Sequence, residues 1–303
     1  AESGFQKQTY SGVSDKFQDN DRRRNYLELN SFFLNGFFDN FNISLGKKIF
    51  IDGLSTIYSP ANRYGARDLN DPFDPRMFGN WIGQVDVPIK NLGITLAVLP
   101  IYQNVKSPSN ISRWVDRSKW NVDRSKWNNA LHSNLITEEE IPDFAWEDMS
   151  YFFRTKGVFK GWDLFLSLFH GFNQYAVIRE EIDGVTVKNI SEVVAVFNLA
   201  TGFSTTMDKW EFHGEALYNY TFESKDDNYI ASMVGLIYGM DDYVDKIGLE
   251  KFDLVLELGH EVILSRQNAD NYVRSSKKAR PMKKTIIIGG KFQVNKDLKF
   301  HVQ

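Results

Sequence analysis

Polar and apolar residues alternate along this chain for ten to fifteen residues at a time. Residues 209–222, KWEFHGEALYNYTF, put Trp210, Phe212, Gly214, Ala216, Tyr218, Tyr220 and Phe222 on one face. The other face carries Lys209, Glu211, His213, Glu215, Leu217, Asn219 and Thr221. Side chains of an extended strand point alternately to its two sides, so this period of two predicts strands rather than helices. Residues 250–264 repeat the pattern, with Phe252, Leu254, Leu256, Leu258, His260, Val262 and Leu264 opposite Lys251, Asp253, Val255, Glu257, Gly259, Glu261 and Ile263. Residues 162–172 do so with a less polar second face, Trp162, Leu164, Leu166 and Leu168 against Asp163, Phe165, Ser167 and Phe169.

Twelve segments read as strands: 24–37, 41–51, 78–89, 94–103, 146–156, 161–173, 190–206, 209–223, 227–240, 249–265, 280–294 and 297–303. Their connections take turns between short and long. Tight turns are expected at 38–40, 90–93, 156–160, 207–208 and 295–297, and longer loops at 52–77, 104–145, 174–189 and 266–279, with a short 224–226 among them. Strands of soluble sheets average about five or six residues; these are about twice that. A strand tilted across a bilayer needs about 9 to 11 residues, and every backbone amide in lipid has to be paired, which only a closed sheet achieves with strands.

The expected fold is therefore all-β: one antiparallel up-and-down transmembrane β-barrel over residues 1–303, with short turns on one rim and long loops on the other. It has twelve strands, or fourteen if residues 5–20 and further C-terminal residues pair. Residues 1–23 are an N-terminal segment, 52–77 a loop that folds inward, and 104–145 a long external loop. Trp210 and Phe212 at one strand end, and Tyr218, Tyr220 and Phe222 at the other, are expected in the interfacial girdles. The alternative is a soluble antiparallel sandwich or barrel with its apolar face turned inward.

Composition narrows the classes. A net charge of −3 argues against a nucleic-acid partner, which calls for a basic excess. The chain has no cysteine, hence no disulfide, thiolate metal site or Cys nucleophile. Its longest apolar runs, such as 193–197, are far below the roughly 18 residues of a membrane helix. Aromatic residues reach 15% although the mean hydropathy is −0.38; two interfacial girdles would account for that surplus. The chain begins Ala1-Glu2-Ser3 without a leader pattern, which reads as a mature chain after signal removal.

The stretch Asn42–Tyr102 resembles a recurring unit of large Gram-negative outer-membrane porin-like proteins. The resemblance lies in Leu45, Gly46, Lys47, Gly53, Ser59, Pro60, Asn62, Asp74, Pro75, Gly79 and Pro88, and covers about a fifth of the chain. The Trp-Gly common after the glycine strand is replaced here by Ile51-Asp52-Gly53, and the chain stops at Phe300-His301-Val302-Gln303 rather than on a terminal aromatic. The resemblance implies the outer membrane of a Gram-negative bacterium, contact with lipid and lipopolysaccharide, and passage of solutes or association with exported partners.

Within a barrel, Lys209, Glu211, His213, Glu215, Asn219, Asp253, Glu257 and Glu261 line the lumen as a mixed, acid-leaning wall that weakly favours cations. Those charges could instead pair with one another and close it. Arg63, Arg67, Asp68, Asp71, Asp74 and Arg76 set opposed charges at a constriction, which would select small polar solutes by size and charge. The tandem repeat VDRSKWNVDRSKWN at 115–128 offers Arg117, Lys119, Trp120, Arg124, Lys126 and Trp127 to an anionic or protein partner. Five histidines without ligand spacing, and no nucleophile elbow or phosphate loop, predict no metal, no cofactor and no enzyme. The expected function is a porin or channel for small polar solutes. The alternatives are a plugged barrel scaffolding a protein partner and, further off, a soluble β glycan-binding protein.

Overall fold

The computed structural model describes residues 29–51, 53–62, 64–65, 67–68, 76–103, 105, 134–142, 145–183, 186–240, 244, 248–272, 282–294 and 299–302. Its strands are β1 (Phe32–Phe37), β2 (Asn42–Lys48), β3 (Arg67–Asp68), β4 (Arg76–Met77), β5 (Asn80–Ile89), β6 (Leu92–Leu99), β7 (Asn134–Glu140), β8 (Ser150–Phe159), β9 (Trp162–Phe172), β10 (Val177–Asp183) and β11 (Thr186–Glu192). They continue with β12 (Ala195–Met207), β13 (Trp210–Thr221), β14 (Asn228–Gly239), β15 (Lys251–Ser265), β16 (Lys284–Gln293) and β17 (Lys299–Val302).

Twelve of them form one antiparallel sheet in the order β1-β2-β5-β6-β8-β9-β12-β13-β14-β15-β16-β17. Neighbours in this sheet are successive crossings of the chain, as in an up-and-down meander, and each of the twelve segments read from the sequence supplies one. Among the described residues β1 and β17 are the two edges and are not paired with each other.

Three hairpins turn through a residue with left-handed backbone: Lys90 at φ 51°, Lys160 at φ 50° and Asp208 at φ 56°. A positive φ matches the turn to the right-handed twist of the flanking strands. Lys160 is followed by Gly161 at φ 84°, the residue that accepts this conformation without steric cost.

The alternation works in the reverse sense of a soluble protein. On β15, Leu254, Leu258, Val262 and Leu264 are exposed, while Asp253, Glu257 and Glu261 are buried. On β13, Trp210, Phe212 and Tyr220 are exposed against buried His213, Glu215, Asn219 and Thr221. Ile286 and Ile288 on β16 are 70% and 64% exposed, whereas Glu257 is fully buried. One face of the sheet is apolar and open; the other is concave and filled.

The concavity follows from chain length. Glu257 on β15 receives the amide of Thr56, yet β15 lies eight places from β2 in the sheet order, about 38 Å away at ~4.8 Å per strand. The eight residues from Lys48 to Thr56 span at most about 28 Å. A flat sheet could not make that bond, so the sheet curls around the segment that leaves β2.

That segment organises the interior. Phe50 and Tyr64 pack with Ile82, Ala97, Leu99, Phe152, Phe169 and Val196 in one buried cluster, where Phe50 and Phe152 meet edge to face at 4.7 Å between ring centroids. Ala61 packs with Phe165, Ala200, Leu217, Tyr229 and Ala231 in a second, against which Leu54 rests.

Two features differ from the sequence reading. Residues 190–206 are not one strand: Val193 and Val194 are both buried, which breaks the alternation and separates β11 from β12. The segments 104–145 and 174–189, read as loops, contribute β7, β10 and most of β11, which make a separate three-stranded sheet. In it β7 runs parallel to β11, a pairing between distant segments that local periodicity cannot reveal. Residues 1–28, with the candidate pairing segment 5–20, lie outside the described residues.

Candidate functional site

The interior site is built where the segment 53–62 crosses β13 and β15. Glu215 accepts the amide N–H of Leu54, that of Ser55 at 2.7 Å and that of Ala61 at 3.3 Å, together with the Ser59 hydroxyl at 2.6 Å. Glu257 accepts the amides of Thr56 at 2.9 Å and Ile57 at 3.0 Å on one oxygen and that of Tyr58 at 2.9 Å on the other. His213, 1% exposed, lies beside it with Nε2 3.2 Å from Glu257 Oε1. The two carboxylates thus take up main-chain donors that a buried loop would otherwise leave unpaired, at a cost of a few kcal/mol each.

Small residues make room for this arrangement. Gly202 is the direct partner of Glu215 across the β12–β13 ladder, and a Cβ there would meet Glu215 Cγ at 3.0 Å and the Phe165 ring at 2.4 Å. Gly235 is opposite both His213 and Glu257, and its Cβ would lie 2.4 Å from His213 Nε2. Gly53 holds φ +136° at the start of the segment, with Ser59 Oγ where a Cβ would be. Any larger residue at 202 or 235 would push the glutamates out of line with the loop amides.

Around this seat the interior is polar and mixed in charge. Asp86 on β5 accepts from Thr95 and Gln84, both at 2.6 Å, and Lys48 Nζ approaches Gln84 at 3.4 Å. Lys47 is fully buried. Lys291 on β16 reaches Thr56 Oγ1 at 3.5 Å. Asp253 pairs with Lys251 at 2.9 Å, and Asn219 donates to Thr221 at 3.2 Å.

Of the residues selected from the sequence, His213, Glu215, Asn219, Asp253, Glu257 and Glu261 lie buried on the concave face. Glu211 is half-buried, 3.9 Å from His213 Nδ1. Lys209 sits in the turn between β12 and β13, because the left-handed Asp208 already starts the hairpin there. Arg67 and Asp68 form β3, which pairs with Arg76 and Met77 of β4. Arg63, Asp71, Asp74, Arg117, Lys119, Trp120, Arg124, Lys126 and Trp127 lie outside the described residues. Among the described residues no group of three or more His, Asp or Glu is arranged to hold a metal ion.

Sequence reading treated Glu215 and Glu257 as wall charges facing solutes and attached no role to Ser59 or to the amides of 54–61. One signal was present: GLSTIYSPAN, residues 53–62, has no charged residue, although Asp52 and Arg63 flank it directly. A loop segment without charge is one that can be buried.

A second polar cluster lies at the long-loop rim. Arg179 on β10 pairs with Glu140 of β7 at 2.8 Å, with Glu192 of β11 at 3.0 Å and with Glu181. Glu192 also receives Lys225 at 3.1 Å and the Tyr272 hydroxyl at 2.7 Å. Burial alone would raise the Glu192 carboxyl, but the Tyr272 hydroxyl and the Lys225 ammonium outweigh it and hold it below the usual carboxylate range. Burial and the bond to Glu192 push Tyr272 up to about 12. Lys225 is raised as well: burial opposes its charge, but Glu223 and Glu192 more than offset that. The cluster ties the small sheet to the chain leaving β13 and to the segment following β15.

No protein-family model matches the chain, and no curated protein matches it. Among solved structures it is similar to one described as outer-membrane expressed OmpT of Vibrio cholerae, at 8% identity and a TM-score of 0.48, covering 89% of this chain and 67% of that one. A likeness at that level transfers no residue role.

Proposed function

We propose that this chain is an outer-membrane β-barrel of a Gram-negative bacterium, and that it admits small polar solutes through a lumen narrowed by the segment 53–62. The observation that carries the reading is the reversed polarity of the sheet, with Leu258 45% exposed beside a fully buried Glu257. In water such an arrangement leaves a continuous apolar surface uncovered, whereas hydrocarbon covers it. Dimensions agree: Trp210 and Tyr220 stand ten residues apart on β13, about 33 Å along the strand, or about 25 Å along the membrane normal at a tilt of ~40°. The aromatic rows support this too. Trp162, Trp210, Phe212 and Tyr238 group at the short-turn end, and His170, Tyr220 and Phe222 at the other. Lipid and lipopolysaccharide would then be the partners of the outer face.

Among the described residues on or near the wall, seven carboxylates, Asp86, Asp163, Glu211, Glu215, Asp253, Glu257 and Glu261, stand against six cations, Lys47, Lys48, Arg154, Lys156, Lys251 and Lys291, a slight acid excess that supports a weak cation preference. A second reading, an occluded barrel that scaffolds a protein partner, is favoured by the two apolar clusters that pack the inward segment against the wall. Single-channel recording of purified chain in a planar bilayer under a salt gradient separates the two. Small discrete steps with a cation-selective reversal potential are expected; inserted but silent protein would favour the scaffold and overturn the channel.

A further inference from the structure

Glu215 and Glu257 together accept seven donors from one short segment, the amides of Leu54, Ser55, Thr56, Ile57, Tyr58 and Ala61 and the Ser59 hydroxyl. Six of the seven are main-chain groups, so the carboxylates hold the segment as a row of hydrogen-bond donors rather than by the identity of its side chains. The segment bears no charge; among the described residues the two anions are met by the dipoles of the segment and, at Glu257, by His213 at 3.2 Å. His213 Nδ1 is buried without a hydrogen-bond partner, as is the Ser55 hydroxyl, which leaves polar groups at the seat that a guest could satisfy. On either side of the seat the chain is anchored, by Phe50 and Tyr64 in the aromatic cluster. A displacement confined to 53–62 would leave those anchors in place and give up only the packing of Leu54 and Ala61 against the second cluster.

We infer that the segment Gly53–Ala61 is a displaceable gate seated on an internal site for hydrogen-bond donors, and that the solutes it yields to are donor-rich, polyols and primary ammonium compounds, rather than anions. This rests on the membrane-channel reading above and names the solute class for it. A buried carboxylate stripped of its donors is strongly disfavoured, so the segment leaves only when other donors take its place. Hydroxyl and ammonium groups present the same N–H and O–H geometry as the loop. A carboxylate or phosphate presents only acceptors and a like charge, and it does not compete. Among the described residues the neighbouring groups lean the same way: Glu211 and Glu261 add negative charge along the same two strands, Asp253 is offset by Lys251 at 2.9 Å, and Lys291 on β16 is directed at Thr56.

The absence of cysteine allows a clean test. Ser55→Cys places a thiol on the buried side of the segment, and its rate of modification by a polar methanethiosulfonate reagent is followed in protein refolded into phosphatidylcholine vesicles. In the otherwise native chain the thiol is protected. Adding Glu257→Gln accelerates modification by at least about tenfold, the loss of one charge-assisted hydrogen bond or more. Ser59→Ala, which removes one loop donor and leaves the wall intact, accelerates it by less. Sorbitol and ethanolamine speed the modification of the native-wall protein, and isethionate does not. One rate across all variants, or equal acceleration by isethionate, overturns the gate while a vesicle-inserted barrel stands. Failure of the unsubstituted chain to insert into vesicles removes the membrane reading and the gate with it.

Discussion

At the scale of single residues, the two sides of one strand make opposite demands. Leu256 faces outward on β15, in a row with Leu236 and Ile288 on the adjoining strands. On the membrane reading proposed above, Leu256→Arg puts a guanidinium at mid-strand in hydrocarbon and is expected to weaken folding into lipid vesicles by about 2 to 4 kcal/mol, read as a shift in the urea midpoint. From alternation alone, Glu257→Arg would be the tolerated neighbour, since position 257 faces the interior. The structure changes that expectation: Glu257 is fully buried and holds three loop amides and His213, so an arginine there sets a cation against donors. Gly53 makes a related point. At φ +136°, with Ser59 Oγ occupying the place of a Cβ, Gly53→Ala is expected to cost about 1 to 3 kcal/mol of seating. The result would be faster chymotrypsin cleavage at Tyr58 in otherwise folded protein; an unchanged cleavage rate would show that the segment does not depend on this conformation.

At the scale of elements, the small sheet of β7, β10 and β11 depends on the rim cluster and therefore on pH. Glu192 titrates below its ordinary value of 4.5 in the folded chain. The stability it contributes is thus present above pH 4.5 and is lost as pH falls through the lower folded value. Tyr272 has the opposite sense. Pushed up to about 12 from 10.0, it contributes fully below pH 10 and is lost as pH rises toward 12. Amide exchange over 177–183 and 186–192 should therefore show protection between about pH 4.5 and 10 that weakens outside both limits. Protection unchanged as pH falls below 4.5 would mean that the network around Glu192 does not hold the small sheet. Exposed ion pairs contribute at most about 1 kcal/mol each, so the effect belongs to the network around Glu192 and not to any single pair.

At the scale of the whole molecule, the sheet is curled around a segment of its own chain, with apolar residues outside and two carboxylates holding the segment within. A closed barrel in detergent resists unfolding because every interior amide is paired. Unboiled protein in SDS is expected to migrate apart from boiled protein, and identical migration would count against closure of the β1 and β17 edges. The twelve strands were legible because an exposed apolar face and a buried polar face impose the same period of two along every crossing. The inward segment was visible only as an uncharged stretch between Asp52 and Arg63, and its partners were not visible at all, since Glu215 and Glu257 lie about 160 and 200 positions further along the chain. The parallel pairing of β7 with β11 was equally hidden: nothing local distinguishes a strand that joins a distant neighbour from a loop.

The sequence by itself determined the twelve strands of the large sheet, their order, their two faces and the asymmetry of the rims. Each of these follows from side-chain alternation and turn chemistry, which act between residues close in the chain. The tertiary structure alone decided which of the two faces is concave, what fills it, and that glutamates read as a wall for solutes are occupied by the amides of a loop. Those outcomes depend on where curvature brings distant segments together, and a period of two is the same for a flat sheet and a curled one.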